Sequence, residues 1–128
     1  MYQKEVVERL RKRAVGFMDA AAERLKANDY DLACFMAEQA VQLYLKSAIL
    51  ELSGEVPRTH SIRQLLAILS KLLNERFDFD RRSLIFLEDA YIKARYLGSE
   101  YERDDAEDAI KIAEEVISTV ARALEGKN

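Results

Sequence analysis

The single histidine of the chain, His60, lies in a short segment that also carries two arginines, Arg58 and Arg63. Thr59 and Ser61 flank the histidine, and hydroxyl residues at such a place can cap the start of a helix. The N–H groups of a helix start favour anions such as phosphate, and nearby guanidinium groups add to this preference. We interpret the segment as a capping turn whose histidine packs on the fold, and the alternative is a phosphate-binding helix start.

A second candidate group combines an arginine with three tyrosines around Gly98, namely Tyr91, Arg95, Tyr96 and Tyr101. If residues 91–96 are helical, Tyr91 and Arg95 are one turn apart, so the guanidinium can reach the ring. Arginine beside aromatic rings suits contacts to phosphates and to stacked bases. It suits equally well the centre of a protein–protein interface.

Polar side chains recur every four residues in an otherwise apolar stretch, at Glu38, Gln42 and Lys46, with Gln39 beside them. Residues at this spacing share one face of a helix. We interpret the stripe as a solvated face with weak pairing along the helix, and the alternatives are a polar groove or a contact between subunits. Lys46 is included among the candidate phosphate-binding residues.

Metal and cofactor chemistry have little support in the sequence. We interpret the acidic run at residues 100–108 as carboxylates at a helix start, where the helix dipole stabilises them. The alternative is a magnesium or calcium site, although the run has no recognisable ligand spacing. One cysteine, Cys34, and one histidine are too few for a structural zinc site. The sequence contains no phosphate-binding glycine loop, dinucleotide loop or nucleophile elbow. We predict neither a metal nor a cofactor, and we interpret Cys34 as a packed small hydrophobic residue.

Length and composition indicate one soluble domain over residues 1–128. The chain is 49% hydrophobic and 34% charged, which is too apolar for intrinsic disorder. No stretch approaches the ~20 apolar residues of a membrane span, and charged residues interrupt the N-terminus where a signal peptide needs an apolar run. With one cysteine, we expect a cytoplasmic protein. The 20 basic and 23 acidic residues give a net charge of −3, so a phosphate-binding surface must be local.

Apolar residues recur at helical spacing along nearly the whole chain, which predicts five helices and no strand. The first two helices are long and meet at Asn28 and Asp29, so they must form an antiparallel hairpin. The second helix is the most apolar of the long ones, and we expect it at the centre. The predicted inward residues are Val6, Leu10, Ala14, Phe17, Ala21 and Leu25; Leu32, Met36, Ala40, Leu43, Ser47 and Leu50; Ile62, Leu65, Leu66, Leu69 and Leu73; Leu84, Leu87, Tyr91 and Ala94; and Ala106, Ile110, Ala113, Ile117, Val120 and Leu124.

Capping residues and glycines predict where the helices begin and end. A hydroxyl or carboxylate before an apolar run favours a helix start, and glycine favours a left-handed end. The predicted starts are Thr59 or Ser61, Asp80, and Asp104 with Glu107 at the capping-box spacing, and the predicted ends are Gly54, Gly98 and Gly126. The predicted fold is an all-α, five-helix up-and-down bundle built on a long antiparallel helical hairpin.

Three segments together resemble the HEPN domain family. They are Ala-Glu-Gln-Ala through Tyr-Leu-Lys-Ser at 37–47, Arg-Thr-His-Ser followed by Leu-Leu at 58–66, and Tyr-Ile-Lys-Ala-Arg-Tyr at 91–96. Their order and spacing are similar to the family over about residues 3–124. The resemblance implies a helical bundle that dimerises, an association with a minimal nucleotidyltransferase, and nucleotide or RNA as the ligand.

Some members of that family are metal-independent ribonuclease toxins, in which an arginine is followed, after a gap of four to six residues, by a histidine. The resemblance implies that the histidine acts as general acid or base at the 2′-hydroxyl, while the arginine stabilises the phosphorane charge. Arg95 matches the arginine, but residues 100–102 are Glu-Tyr-Glu and include no histidine. Tyr101 is a poor base because the ordinary pKa of tyrosine is ~10, and His60 lies at a different helix start.

Three functions follow as hypotheses. The first is a homodimeric module of a two-component, toxin–antitoxin-like system that binds nucleotide or a minimal nucleotidyltransferase. Its candidate binding residues are Lys46, Arg58, His60, Arg63, Tyr91, Arg95 and Tyr96. The second is a metal-independent RNA endonuclease in which Arg95 acts with Tyr101 or His60. The third is a dimeric scaffold in which Arg95 and its tyrosines make the dimer contact.

Overall fold

Five α-helices make up most of the computed structural model, which describes residues 2–96 and 100–127. The helices are α1 (Tyr2–Lys26), α2 (Tyr30–Ser53), α3 (Ile62–Leu73), α4 (Arg81–Tyr96) and α5 (Arg103–Lys127). No strand occurs in these two stretches, so the predicted all-α bundle is confirmed. None of the helices described here is long and apolar enough to cross a membrane.

The link between α1 and α2 is tight, as predicted from Asn28 and Asp29. Asn28 has a positive φ of 61°, a left-handed conformation that asparagine tolerates better than most residues. The N–H of Asp29 donates to the carbonyl oxygen of Arg24 at 2.8 Å, which satisfies a terminal carbonyl of α1. The chain therefore turns back at once, and α1 and α2 form the predicted hairpin.

Helix α2 lies at the centre of the bundle and contacts each of the other four helices. This central position was predicted from its apolar composition, and the structure confirms it. Half of its residues are buried: Ala33, Cys34, Ala37, Glu38, Ala40, Val41, Gln42, Leu45, Ser47, Ala48, Ile49 and Leu50. Three of these are polar, so α2 brings hydrogen-bonding groups into the core.

Most of the predicted helix boundaries are confirmed. Gly54 ends α2 with a φ of 81°, and its N–H donates to the Leu50 carbonyl at 2.8 Å. Ser61 is the N-cap of α3, where its hydroxyl accepts the N–H of Gln64 at 3.2 Å. Before α4, the carboxylate of Asp80 accepts the N–H of Ser83 at 3.0 Å.

Two predicted boundaries are wrong, and both belong to α5. The helix begins at Arg103 rather than at Asp104, because the carboxylate of Asp105 reaches back and accepts the N–H of Glu102 at 2.8 Å. Gly126 does not end α5, which continues to Lys127. Gly98, the predicted end of α4, lies outside the described residues.

The inward faces were predicted well for the short helix α3 and less well for the long helices. All five predicted inward residues of α3 are buried. On α2, however, Leu32 is 37% exposed, while Cys34 one half-turn later is fully buried. On α5, Ala109 and Val116 join the buried residues, and Ile110 and Ile117 lie at the edge of the core. A helix with apolar residues on most sides has no single stripe that periodicity can identify.

Candidate functional site

Residues from α2, from the segment before α3 and from the end of α4 meet at one surface. Gln42 and Lys46 of α2 both contact His60, which precedes α3. His60 in turn stacks on Tyr91 of α4. The three segments that were singled out in the sequence as separate groups therefore form one connected site.

The polar residues of α2 form the buried floor of this site. Glu38 is fully buried and Gln42 is 4% exposed, so the interpretation of Glu38 and Gln42 as part of a solvated face is wrong. The carboxylate of Glu38 accepts N–H groups from the side-chain amides of Gln39 and Gln42. Burial raises the pKa of Glu38 to about 7, although these two hydrogen bonds and the charge of Lys46 act in the opposite direction.

Helix geometry explains why the pair Glu38 and Gln42 is buried together. The two residues are one turn apart, so the amide of Gln42 reaches the carboxylate of Glu38 without leaving the helix surface. Each polar group thereby has a partner, and every buried side-chain nitrogen or oxygen in the described part of the chain is hydrogen-bonded. The stripe is thus a polar core element that reaches the surface at Lys46.

His60 connects the buried floor to the exposed part of the site. Its Nδ1 atom lies 3.1 Å from Oε1 of Gln42 and 3.4 Å from Nζ of Lys46. The pKa of Lys46 is lowered by partial burial, against the opposing charge of Glu38. The side chain of His60 is exposed, so it is accessible to a ligand while Gln42 holds its inner edge.

The exposed part of the site is a series of rings and cations. The His60 and Tyr91 rings stack with centroids 5.3 Å apart and planes 21° apart. The guanidinium carbon of Arg95 lies 5.5 Å from the centroid of Tyr91 and 4.9 Å from that of Tyr96. We call Lys46, His60, Tyr91, Arg95 and Tyr96 the aromatic–cation cluster.

Arg95 is held in the aromatic–cation cluster by its neighbour one turn earlier. Its Nη1 donates to the hydroxyl of Tyr91 at 3.2 Å, as the spacing of the two residues predicted. Tyr91 is additionally supported by Phe35 of α2, whose ring centroid lies 6.5 Å away. Arg95 itself remains exposed, so it can contact a ligand.

The family of the chain follows from comparison with known proteins. The sequence model of the HEPN domain matches residues 7–124, which is nearly the whole chain. The chain belongs to the HEPN domain family. The resemblance that was drawn from residues 37–47, 58–66 and 91–96 is therefore confirmed.

Two solved structures resemble this HEPN chain. The crystal structure of TT1696 from Thermus thermophilus has 29% identity and a TM-score of 0.77, and the match covers 91% of this chain and 97% of that one. The crystal structure of an archaeal HEPN homologue has 24% identity and a TM-score of 0.66, with 90% and 94% covered. The second likeness concerns the fold alone. No curated protein matches the chain.

Two of the candidate phosphate-binding residues, Arg63 and Arg58, are not members of the aromatic–cation cluster. Arg63 forms an ion pair with Glu88 of α4, with Nη2 and Oε1 3.0 Å apart. Burial alone would raise the pKa of Glu88, but the hydrogen bonds and the charge of Arg63 outweigh it and lower that pKa. Arg58 is an exposed residue of the segment before α3.

Tyr101, the candidate partner of Arg95 in catalysis, packs in another place. Its ring meets Phe86 edge-on at 6.2 Å, and its N–H donates to the carboxylate of Asp31 at 3.2 Å. Burial, with acidic groups nearby, raises the pKa of Tyr101 to about 12. A phenol with this pKa stays protonated at neutral pH, so it is even less suited to act as a base than an ordinary tyrosine.

Cys34 is a packed small hydrophobic residue, as the sequence predicted. Cys34 is fully buried in the core, and burial raises the pKa of its thiol to about 12. Among the described residues, no group of three or more histidine, cysteine or carboxylate side chains is arranged to hold a metal ion. An open groove of about 540 Å³ between α4 and α5 is lined by charges of both signs, including Arg82 and Asp108, and by none of the candidate site residues.

Sequence reasoning missed two kinds of supporting residue. The sequence showed that Glu38 and Gln42 share one helix face, but it did not show that Gln42 contacts His60. No local pattern tells which face of a helix is covered by a segment that is distant in the sequence. The available signal was that the surrounding positions of α2 are apolar on nearly every side. Glu88 was missed altogether, and its place next to the inward residue Leu87 was the only hint.

Proposed function

We propose that this HEPN chain binds the phosphate and base groups of nucleotides or RNA at the aromatic–cation cluster. The observation that supports the proposal best is the stack of His60 on Tyr91 with Arg95 between Tyr91 and Tyr96. Aromatic rings and arginine offer faces on which bases stack, and each such contact is worth about 1–3 kcal/mol. Lys46 and Arg95 supply positive charge for phosphate. The exposure of His60, Arg95 and Tyr96 leaves these groups accessible.

Because the chain is negatively charged overall, nucleotide or RNA binding depends on where its cationic groups lie. The protein as a whole carries a charge of −3, so long-range attraction does not bring RNA to it. The ion pair between Arg63 and Glu88 further restricts the cations that are available near α3. Binding therefore depends on the short-range contacts of Lys46 and Arg95.

Under this proposal the chain is one HEPN domain over residues 1–128 that works in the cytoplasm as a homodimer. It pairs with a minimal nucleotidyltransferase in a two-component, toxin–antitoxin-like system. The support for a dimer is membership of the HEPN family, whose members are often dimeric, together with Ile92, which is 55% exposed on the same helix as Arg95. An apolar side chain at such exposure is available for contact with another protein surface.

The binding proposal is tested by titrating a short fluorescent RNA, and separately ATP, with the wild type and Arg95→Ala. We expect Arg95→Ala to weaken binding about tenfold, because both a stacking cation and a phosphate contact are lost. Arg81→Ala is the matched control, since Arg81 is an exposed arginine at the opposite end of α4. Absence of binding in the wild type, or equal losses in the two variants, would refute the proposal.

The second candidate function is a metal-independent RNA endonuclease that uses Arg95 with His60. One observation favours it: both side chains contact the same ring, with His60 at 5.3 Å and Arg95 at 5.5 Å from the centroid of Tyr91. The test is an RNA cleavage assay in EDTA with the wild type, Arg95→Ala and His60→Ala. Cleavage that is lost in both variants supports the endonuclease. Intact RNA combined with a dimer that Arg95→Ala disrupts supports the scaffold.

A further inference from the structure

The buried carboxylate of Glu38 determines which way the side-chain amide of Gln42 faces. Well above pH 7 the carboxylate is ionised and has only acceptor groups, so it must receive the NH2 end of the amide. The structure shows this contact, from Nε2 of Gln42 to Oε2 of Glu38, and a second contact from Nε2 of Gln39 to Oε1 at 2.9 Å. Both carboxylate oxygens are thereby occupied by N–H donors. The carbonyl oxygen of Gln42 must point the other way, towards His60.

This orientation determines where the neutral imidazole carries its proton. Oε1 of Gln42 lies 3.1 Å from Nδ1 of His60, and an oxygen lone pair at that distance needs a donor opposite it. A neutral imidazole has one N–H and one bare nitrogen, and the hydrogen bond at one nitrogen determines the state of the other. The ammonium of Lys46 is further from Nδ1, at 3.4 Å, and would favour the opposite tautomer.

We propose that Glu38 and Gln42 are positioning residues that hold neutral His60 in the Nδ1–H tautomer, so that Nε2 presents a lone pair to the ligand. The histidine edge is then an acceptor, and in an RNA strand the donor beside the phosphate that DNA lacks is the 2′-hydroxyl of the ribose. The cluster consequently favours ribonucleotides over deoxyribonucleotides. This last step rests on the proposed nucleotide-binding function, whereas the tautomer itself is a property of the ligand-free protein.

The chain is well suited to a direct test because His60 is its only histidine. In uniformly 15N-labelled protein at pH 8.5, long-range 1H–15N correlation spectra show which ring nitrogen is protonated. At this pH Glu38, with a pKa of about 7, is ionised. We expect Nδ1 to resonate as the protonated nitrogen and Nε2 as the bare one. The reverse pattern in the folded wild type would overturn the proposal.

Two variants test whether Glu38 and Gln42 set the tautomer. Gln42→Leu removes the acceptor and leaves Lys46 as the neighbour of Nδ1, so we expect the proton to move to Nε2. Glu38→Gln keeps the shape but allows the amide of Gln42 to turn round, so we expect a mixture of tautomers; it also serves if Gln42→Leu does not fold. Gln39→Leu is the matched control, because it removes one hydrogen bond from Glu38 and leaves Gln42 in place. An unchanged tautomer in both test variants would overturn the proposal.

Binding measurements with RNA and DNA distinguish a failure of this inference from a failure of the proposed function. The wild type should bind an RNA oligonucleotide about fivefold more tightly than DNA of the same sequence, as expected for one additional hydrogen bond. Gln42→Leu should lose that preference, so that the ratio of its RNA affinity to its DNA affinity falls to about one. Equal affinity of the wild type for RNA and DNA would overturn the ligand step. Failure to bind either nucleic acid, with the Nδ1–H tautomer confirmed, would refute the proposed function and leave the positioning role of Glu38 and Gln42 intact.

Discussion

Glu88 contacts Arg63 at two points, the backbone and the side chain. Its carboxylate accepts the backbone N–H of Arg63 at 2.8 Å, in the first turn of α3, and also the guanidinium at 3.0–3.1 Å. The hydroxyl of the N-cap Ser61 donates to the same carboxylate at 3.2 Å. A single carboxylate on α4 thus fixes the start of α3, next to the segment that carries His60.

The first prediction concerns this carboxylate. Glu88→Gln should lower the free energy of unfolding by about 1–2 kcal/mol, because the charge-assisted hydrogen bonds from Arg63 and Ser61 are weakened at a half-buried position. Asp89→Asn is the matched control, since Asp89 pairs with Lys93 at 3.6 Å on an exposed face. That variant should change stability by at most about 0.5 kcal/mol. Urea denaturation measures both, and equal effects would contradict the prediction.

The second prediction follows from the pKa of Glu38, which is about 7 in the folded protein against 4.5 for the ordinary side chain. Between these values the folded state binds more protons than the unfolded state, so the free energy of unfolding falls as pH rises. The fall is at most about 3 kcal/mol and levels off between pH 7 and 8. Glu38→Gln lacks this titration.

Urea titrations of the wild type and Glu38→Gln at pH 5, 6, 7 and 8 measure the effect. The stability of the variant relative to the wild type should increase from pH 5 to 7 and then level off. Carboxylates shared by both proteins, such as Glu88, have the opposite pH dependence, and they cancel in the difference. Parallel stability curves for the two proteins would show that Glu38 is not a titrating group in this range.

The third prediction separates the two roles of Tyr91. Tyr91→Phe keeps the ring against His60 and removes the hydroxyl that Arg95 contacts, so RNA affinity should fall about two- to threefold. Tyr91→Ala removes the ring as well and should reduce affinity about tenfold. Fluorescence anisotropy measures both, after circular dichroism has shown that the variants fold.

Tyr30→Phe is a suitable control for Tyr91→Phe. Tyr30 also carries an arginine over its ring, Arg103 at 5.3 Å, and its hydroxyl is also hydrogen-bonded, to Asn28 at 3.0 Å. It lies at the link between α1 and α2, outside the aromatic–cation cluster. RNA affinity should therefore not change in Tyr30→Phe, and a loss as large as that of Tyr91→Phe would mean that the assay reports general damage.

The fourth prediction is that Cys34 is inert in the folded protein. The thiol is fully buried, and its pKa of about 12 leaves almost no reactive thiolate at neutral pH. An aromatic disulfide reagent at pH 8 should label the native chain only at the rate at which the core opens, and the unfolded chain in urea within seconds to minutes. Rapid stoichiometric labelling of the native protein would contradict this burial.

The helices were predictable from the sequence because their signals are local. The left-handed Asn28 and Gly54 and the hydroxyl of Ser61 act on residues within one turn, so the sequence contains both partners of each interaction. The start of α5 was missed because several carboxylates lie close together: the sequence favoured Asp104 as the cap with Glu107, whereas in the structure Asp105 accepts the N–H of Glu102. The sequence alone does not show which of several neighbouring carboxylates caps a helix.

The connected site was only partly predictable, because its key contacts join distant residues. Tyr91 and Arg95 were paired correctly from their spacing. The stack of Tyr91 on His60 joins residues that are far apart in the sequence, and the spacing of apolar residues does not predict such a contact. Glu38 shows most clearly what spacing cannot predict. A polar residue at every fourth position of a helix gives the same sequence pattern whether that face is exposed to solvent or buried.

The hairpin of α1 and α2 has a consequence for the order of folding. Its two helices are neighbours in the chain and the link between them is short, so little conformational entropy is lost when they meet. By contrast, α5 returns to α2 from the far end of the chain. During synthesis, which proceeds from the N-terminus, we expect the hairpin to form first. The apolar side of α2 that α5 contacts stays exposed until α5 has been synthesised. The segments that carry Glu38, His60 and Tyr91 all leave the ribosome before that last helix does.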